Sequence, residues 1–218
     1  MRHPRIAWAL CVIITRLIAR PRLRGAARLP DPDAGPCVVA CRHISWIDPL
    51  LIVCALGPRR PVVFLAAREH VERHSVLRHA VRWLGAAILV ERGAQHQRDV
   101  LRAAQNALAR GVSVALFPEG RINVLAETGE TILELEPGAA VIARRSGVPI
   151  LPLSLSGSDG LHFGRRVEVV VGEPLPPGAS RPDDGTLTAL LRERLLALTP
   201  PDPPPSRWQP GRWLSRLN

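Results

Sequence analysis

Apolar residues in this 218-residue chain fall in short unbroken runs at 37–41, 61–66, 86–90, 112–117, 148–155 and 167–171. Runs of this length without polar alternation suit strands that are buried on both faces. Between them the period changes. Val100, Leu101, Ala104 and Leu108 recur at helical spacing and stop at Gly111, and Leu187, Leu190, Leu191, Leu195 and Leu198 repeat the pattern near the end. Strands that alternate with helices predict an α/β domain built on a single, mostly parallel sheet flanked by helices. In such folds, side chains at strand ends form the site.

Both ends of the chain break this pattern. Ile6 to Ile14 is one apolar run, continued by Leu17, Ile18 and Ala19, with Arg2, Arg5, Arg16, Arg20, Arg22 and Arg24 around it. Crossing a bilayer takes about 20 apolar residues, and this run is shorter. Segment 1–24 is therefore read as an amphipathic, membrane-associating helix lying in the interface, with Trp8 and the arginines at headgroup level. A cleaved signal peptide is the rival; the basic start fits it, but Thr15-Arg16 and the missing small-x-small site do not. A helix packed on the domain is the third reading. At the other end, Thr199-Pro200-Pro201-Asp202-Pro203-Pro204-Pro205 cannot continue a helix. Residues 200–218 thus form a Pro-rich linker and a basic tail carrying Trp208 and Trp213, read either as a second interfacial contact or as disordered, and 25–199 remains as the domain.

Composition narrows the function. The hydrophobic share of 46% supports one substantial core, and no internal repeat is evident. All 29 basic residues are arginine, which looks partly like a base-composition bias, so arginine counts carry little weight. The net charge of +10 is physical all the same and draws the protein to anionic surfaces. A membrane lipid surface fits better than nucleic acid, because aromatics are only 4%, zinc-finger spacing is absent and the arginines are scattered. Cys11, Cys37, Cys41 and Cys54 show no disulfide framework and fit a reducing compartment. Cys37 and Cys41, about 13 Å apart on a strand, are too far apart to share a metal ion.

The candidate chemistry centres on Arg42-His43-Ile44-Ser45-Trp46-Ile47-Asp48-Pro49 and the distant Phe117-Pro118-Glu119-Gly120-Arg121. An imidazole held by a carboxylate is a general base suited to neutral pH. Five residues apart on one helix, His43 and Asp48 would point about 140° apart, so a turn must bring them together. Val38-Val39-Ala40 before them reads as a strand; Asp48-Pro49 with Leu50-Leu51-Ile52-Val53 reads as N-cap, first helical residue and helix. Two other nucleophiles are weaker candidates. Cys41, two residues from His43, suggests a covalent acyl-cysteine, although packing is the ordinary role of a strand cysteine. Gly111-Val112-Ser113-Val114-Ala115 superficially matches a serine hydrolase motif, but Ser113 lies inside an apolar run rather than at a strand-to-helix turn.

Four blocks in order resemble the glycerolipid acyltransferases, the family of the lysophosphatidic acid acyltransferases: His43 to Asp48, Gly85-Ala86-Ala87-Ile88-Leu89-Val90-Glu91-Arg92, Phe117 to Arg121, and Val148-Pro149-Ile150-Leu151-Pro152. The resemblance covers about residues 25–175. Many members have asparagine where this chain has Arg42, and serine or threonine between the glycine and arginine that are adjacent here as Gly120 and Arg121. Phe117 to Ile122 and Leu161-His162-Phe163 also resemble the acyltransferase half of the bifunctional lysophosphatidylethanolamine acyltransferase and acyl-carrier-protein synthetase.

The resemblance implies a glycerol-3-phosphate acyltransferase-like fold and transfer of an acyl group from a thioester of coenzyme A or acyl carrier protein to a lysophospholipid hydroxyl. In that reaction His43 is the base and Asp48 orients it. Arg92 and Arg121 hold the acceptor's phosphate, Glu119 positions the acceptor or one of those guanidinium groups, and Gly120 lets the backbone approach phosphate or oxyanion. No metal or cofactor is implied beyond the acyl donor as co-substrate. The expected location is the cytoplasmic face of a membrane, peripheral or monotopic.

Overall fold

The computed structural model describes residues 4–73, 87–90, 97–123, 131–159, 161–177 and 183–199. In chain order these form α1 (Pro4–Ile18), β1 (Ala19–Arg24), β2 (Val38–Cys41), α2 (Asp48–Leu56), β3 (Val62–Ala67), α3 (Arg68–Arg73) and β4 (Ala87–Val90). There follow α4 (Gln97–Ala109), β5 (Ser113–Leu116), α5 (Gly138–Ser146), β6 (Ile150–Ser156), β7 (Arg165–Val171) and α6 (Asp184–Leu198). The strands make one seven-stranded sheet in the order β1-β7-β6-β2-β5-β3-β4. All neighbours are parallel except β6 and β7, so β1 and β7 run against the other five.

Every apolar run of the sequence that reads as a strand is one. The central strands β2, β5 and β6 are buried at every residue, which is why they are mostly apolar, with only the buried Ser113, Ser154 and Ser156 breaking the runs. Successive side chains of β2 still point to opposite layers. Val39 and Cys41 join a core beneath α1 and α2 with Leu51, Ile52 and Leu155. Val38 and Ala40 join the other core, with Ala104 and Leu108 of α4, Ala140 of α5 and Leu191 of α6.

Three elements were not predicted. Strand β1, Ala-Arg-Pro-Arg-Leu-Arg, lacks an apolar run because it is an edge strand, where proline and exposed arginine are tolerated. It divides the 1–24 segment: the amphipathic helix ends at Ile18, and the sheet begins at Ala19. Helix α5 buries Ile142 and three alanines, Ala139, Ala140 and Ala143, so its inner face is mostly small and gives a faint hydrophobic signal. The third is the short α3. Residues 200–218, with the predicted linker and tail, lie outside the described residues.

Helix α6 is fixed by three means. Leu187, Leu191 and Leu195 are buried at helical spacing, each contributing about 1.5–3 kcal/mol of transfer free energy. Asp183 caps its first turn by accepting the Thr186 N–H at 2.6 Å. Arg144 of α5 grips Asp184 through two bonds of 2.7 and 3.0 Å.

Helix α1 has an inner and an outer side. Trp8, Cys11 and Ile18 pack against the core beneath it, Thr15 is buried, and the Trp8 indole donates to the Cys54 carbonyl at 3.4 Å. Facing away are Ile6, Leu10, Ile13, Ile14 and Leu17, exposed by 40% to 71%. No helix among the described residues is long and apolar enough to cross a membrane.

Candidate active site

Strands β6, β2 and β5 are adjacent and parallel, so their C-terminal ends open on one edge of the sheet. His43 follows β2, Phe117 to Arg121 follow β5, and Ser158 follows β6. Three segments far apart in sequence therefore meet at one place, as open α/β sheets dictate.

The turn required between His43 and Asp48 is present. His43 Nδ1 lies 2.9 Å from Asp48 Oδ2. The same oxygen accepts the backbone N–H groups of Ile44 at 2.7 Å and Ser45 at 2.8 Å. The other oxygen, Oδ1, accepts the Ser158 hydroxyl at 2.8 Å. An ionised carboxylate only accepts, and every partner of Asp48 can donate. Asp48 is fully buried, while His43 keeps 16% of its side chain exposed. With Nδ1–H directed at Asp48, Nε2 is the basic nitrogen, and no described residue bonds to it. The Phe117 ring lies against the imidazole at a centroid distance of 3.8 Å and 14° from parallel, fixing its plane.

One expectation is corrected. Asp48 is the first residue of α2, but its carboxylate does not cap that helix, since its donors are His43, Ile44, Ser45 and Ser158. The side chain turns back over the preceding loop because only that direction satisfies two loop N–H groups and the imidazole together.

Glu119 is also placed differently from expectation. Its Oε1 accepts the His43 N–H at 3.1 Å, and its Oε2 accepts the Asn123 amide and the Leu133 N–H, both at 3.0 Å. Asn123 N–H in turn donates to the His43 carbonyl at 2.6 Å. Glu119 is 6% exposed, no guanidinium of the described residues bonds to it, and its two oxygens tie the His43 backbone to Asn123 and Leu133.

Gly120 closes a turn in which its N–H donates to the Phe117 carbonyl at 3.0 Å. That N–H is thus already occupied. A Cβ at Gly120 would touch only Glu136 Cγ, at 3.9 Å, so its φ of 69° rather than crowding by protein is what favours glycine. Arg121 is exposed and makes no hydrogen bond or ion pair to the dyad. Arg92 lies outside the described residues. Arg42, beside His43, is 1% exposed.

The alternative nucleophiles do not fit the geometry. Burial, then the carboxylates of Asp48 and Glu119, push the fully buried Cys41 thiol well above its usual pKa, which removes the reactive thiolate. Ser113 lies within β5, where its hydroxyl accepts the Cys37 N–H at 3.2 Å, far from any elbow geometry. Among the described residues no His, Cys, Asp and Glu cluster is arranged to hold a metal ion.

Ser158 and Asn123 were missed by sequence reasoning. Ser158 carried a weak positional signal, a Gly-Ser step just after a buried strand. Asn123 carried none, since its role depends on backbone atoms of a segment 80 positions away.

Comparison with known proteins gives the chain's relatives and its family. The chain is 26% identical over 161 residues to the chloroplastic 1-acyl-sn-glycerol-3-phosphate acyltransferase BAT2 of Brassica napus, covering 70% of this chain and 44% of that one. It is 25% identical over 196 residues to the lyso-ornithine lipid O-acyltransferase of Pseudomonas aeruginosa, covering 81% and 71%. The chain spans about half the length of most of the curated relatives it matches. In fold it superposes on the crystal structure of the 1-acyl-sn-glycerophosphate acyltransferase PlsC of Thermotoga maritima with a TM-score of 0.69 at 21% identity, covering 89% of this chain and 77% of that one. The Acyltransferase family profile matches residues 20–156, which run from β1 to the end of β6 and take in both His43-Asp48 and Glu119. Because that match spans more than half of its length, the chain belongs to the Acyltransferase family.

Proposed function

We propose that the protein is an O-acyltransferase that moves a fatty acyl group from a thioester of coenzyme A or acyl carrier protein to the free hydroxyl of a lysophospholipid, with 1-acylglycerol-3-phosphate as the acceptor and phosphatidic acid as the product. The observation that carries this reading is the His43–Asp48 pair, with Nδ1 held at 2.9 Å by a buried carboxylate and the ring still partly open. Nε2 takes the hydroxyl proton as that oxygen attacks the thioester carbonyl. Asp48 keeps the tautomer and stabilises the imidazolium. The tetrahedral intermediate collapses with loss of the thiolate, which recovers a proton from the imidazolium to leave as thiol.

Glu119 acts through His43 as a positioning residue. Arg92 and Arg121 supply cations for the acceptor's phosphate. The reaction as proposed uses two substrates and no resident cofactor. The exposed apolar row of α1, with Arg5 and Arg16 on the same helix, suits the head-group boundary of the cytoplasmic leaflet, where the lipid acceptor resides.

A second acceptor deserves weight because the match to the Pseudomonas aeruginosa relative, named for a lyso-ornithine lipid, covers more of both chains than the match to the Brassica napus one. An assay of the purified protein on lysophosphatidic acid, lysophosphatidylethanolamine and lyso-ornithine lipid, with each thioester type and mass-spectrometric detection, tests both. Product from the last lipid alone makes the amino-acid lysolipid the acceptor. Product formation by His43→Ala at the wild-type rate defeats the mechanism.

A further inference from the structure

Arg42 is an anomaly beside Arg60 and Arg28, whose guanidinium groups find partners. Arg60 donates to the carbonyls of Pro30 and Leu56, both at 2.9 Å, and Arg28 donates to Glu173 at 2.7 Å and to the Val171 carbonyl at 3.2 Å. Arg42 is more deeply buried than either, at 1% exposure, yet its Nε and Nη2 have no hydrogen-bond partner. A guanidinium does not shed its proton at any ordinary pH, so it does not escape the cost of burial by becoming neutral. A buried, unpaired cation destabilises the protein until an anion joins it.

Asp48 and Glu119, the two carboxylates that share its surroundings, are already engaged. The charges of Arg42, Asp48 and Glu119 all act on the buried thiol of Cys41, which puts the three in one neighbourhood. Asp48 accepts four hydrogen bonds and Glu119 three, none from Arg42. Neither of these carboxylates supplies the missing counter-charge, which leaves a place for a ligand's anion.

Resting on the acyl-transfer reading of this site, we propose that Arg42 is the buried cation that receives the acceptor's phosphate. Strand β2 ends at Cys41, so Arg42 and His43 are the first two residues beyond it, with Cα atoms about 3.8 Å apart. In a glycerol phosphate the phosphorus is only a few bonds from the hydroxyl that His43 deprotonates. In the donor, the nearest phosphate lies at the far end of a pantetheine arm. Adjacent residues then serve adjacent groups of one substrate, and the planar fork of Arg42 suits two phosphate oxygens. Arg121, exposed at the rim, meets the same charge from the solvent side.

Thermal unfolding of the full chain with glycerol 3-phosphate or with coenzyme A separates the sources, in wild type, Arg42→Met and Arg42→Lys. Glycerol 3-phosphate is expected to raise the wild-type Tm, to leave Arg42→Met unmoved and to act weakly on Arg42→Lys. Without ligand, Arg42→Met is expected to melt no lower than wild type, because an unpaired charge has been removed. Its KM for lysophosphatidic acid should rise on the order of 10- to 100-fold, the scale of a lost charge-assisted hydrogen bond, with the KM for thioester little changed.

Absence of a wild-type shift with glycerol 3-phosphate overturns the proposal, as does an Arg42→Met protein that melts lower but keeps the shift. A shift that coenzyme A alone produces and Arg42→Met abolishes moves the residue to the donor and overturns the acceptor assignment. Should wild type acylate no lysolipid, the functional reading fails, while the binding shift still reports on Arg42.

Discussion

The Ser158 hydroxyl, at the end of β6, donates to Asp48 Oδ1 at 2.8 Å, across 110 positions of sequence, and both side chains are fully buried. Asp48 thus has one oxygen on the imidazole side and the other tied to a neighbouring strand. Ser158→Ala leaves Oδ1 without its partner, which should cost about 1–3 kcal/mol of stability. Chemical denaturation measures that loss. The accompanying fall in kcat should be smaller than for substitutions at Asp48, since Oδ2 keeps its three donors; a loss as large as that of Asp48→Asn would mean Ser158 itself touches substrate.

Asp48→Asn tests the charge. An amide can keep its oxygen toward the His43, Ile44 and Ser45 donors and turn its NH2 to the Ser158 hydroxyl, which then accepts, but it lacks the negative charge that stabilises the imidazolium. The expected fall in kcat is about 100- to 10,000-fold, the usual range for a positioned base. His43→Ala should match it, with the far-ultraviolet spectrum unchanged.

Glu119→Gln separates a brace from a substrate contact. Glutamine keeps the shape but turns one acceptor into a donor against N–H groups of His43, Asn123 or Leu133. Lower Tm and lower kcat with a near-constant KM for the acceptor are expected. A rise in KM alone would return Glu119 to the substrate.

Replacing Leu10 and Ile13 by aspartate removes two of the five exposed apolar side chains on the outer side of α1. Sedimentation with anionic liposomes should fall sharply, because each loses apolar burial and gains a charge that the lipid surface repels. Activity on detergent-dispersed substrate should persist, as Trp8 and Thr15 on the inner side are untouched.

Acid should weaken the α5–α6 staple. The hydrogen-bonded guanidinium of Arg144 holds the Asp184 carboxyl below its ordinary value of 3.8. The folded state therefore prefers the deprotonated form, and the stabilisation is complete above the unfolded value and fades as pH falls through the lower folded one. Asp184→Asn should lower Tm modestly at pH 7, and its difference from wild type should shrink below about pH 4.

Much of this architecture was legible beforehand because β2, β5 and β6 are buried on both faces and are therefore predominantly apolar. The His43–Asp48 pair was legible too, since a strand, a turn and a Pro-started helix leave one short loop to join them. Strand β1 escaped notice because an edge strand has no burial to impose on its arginines. Helix α5 escaped because alanines fill a close approach without a strong hydrophobic signal.

By itself the sequence determined the alternation of strands and helices, the short range between imidazole and carboxylate, and the family. These are local or periodic properties, written into neighbouring residues. Tertiary structure decided that Asp48 faces back toward the loop rather than down its helix, that Ser158 and Asn123 complete the cluster, that Glu119 accepts from the His43 and Leu133 N–H groups and the Asn123 amide, and that Arg42 is buried without a partner. Each depends on which strands lie side by side, and hydrogen-bond satisfaction in a buried space is settled only when distant segments share that space.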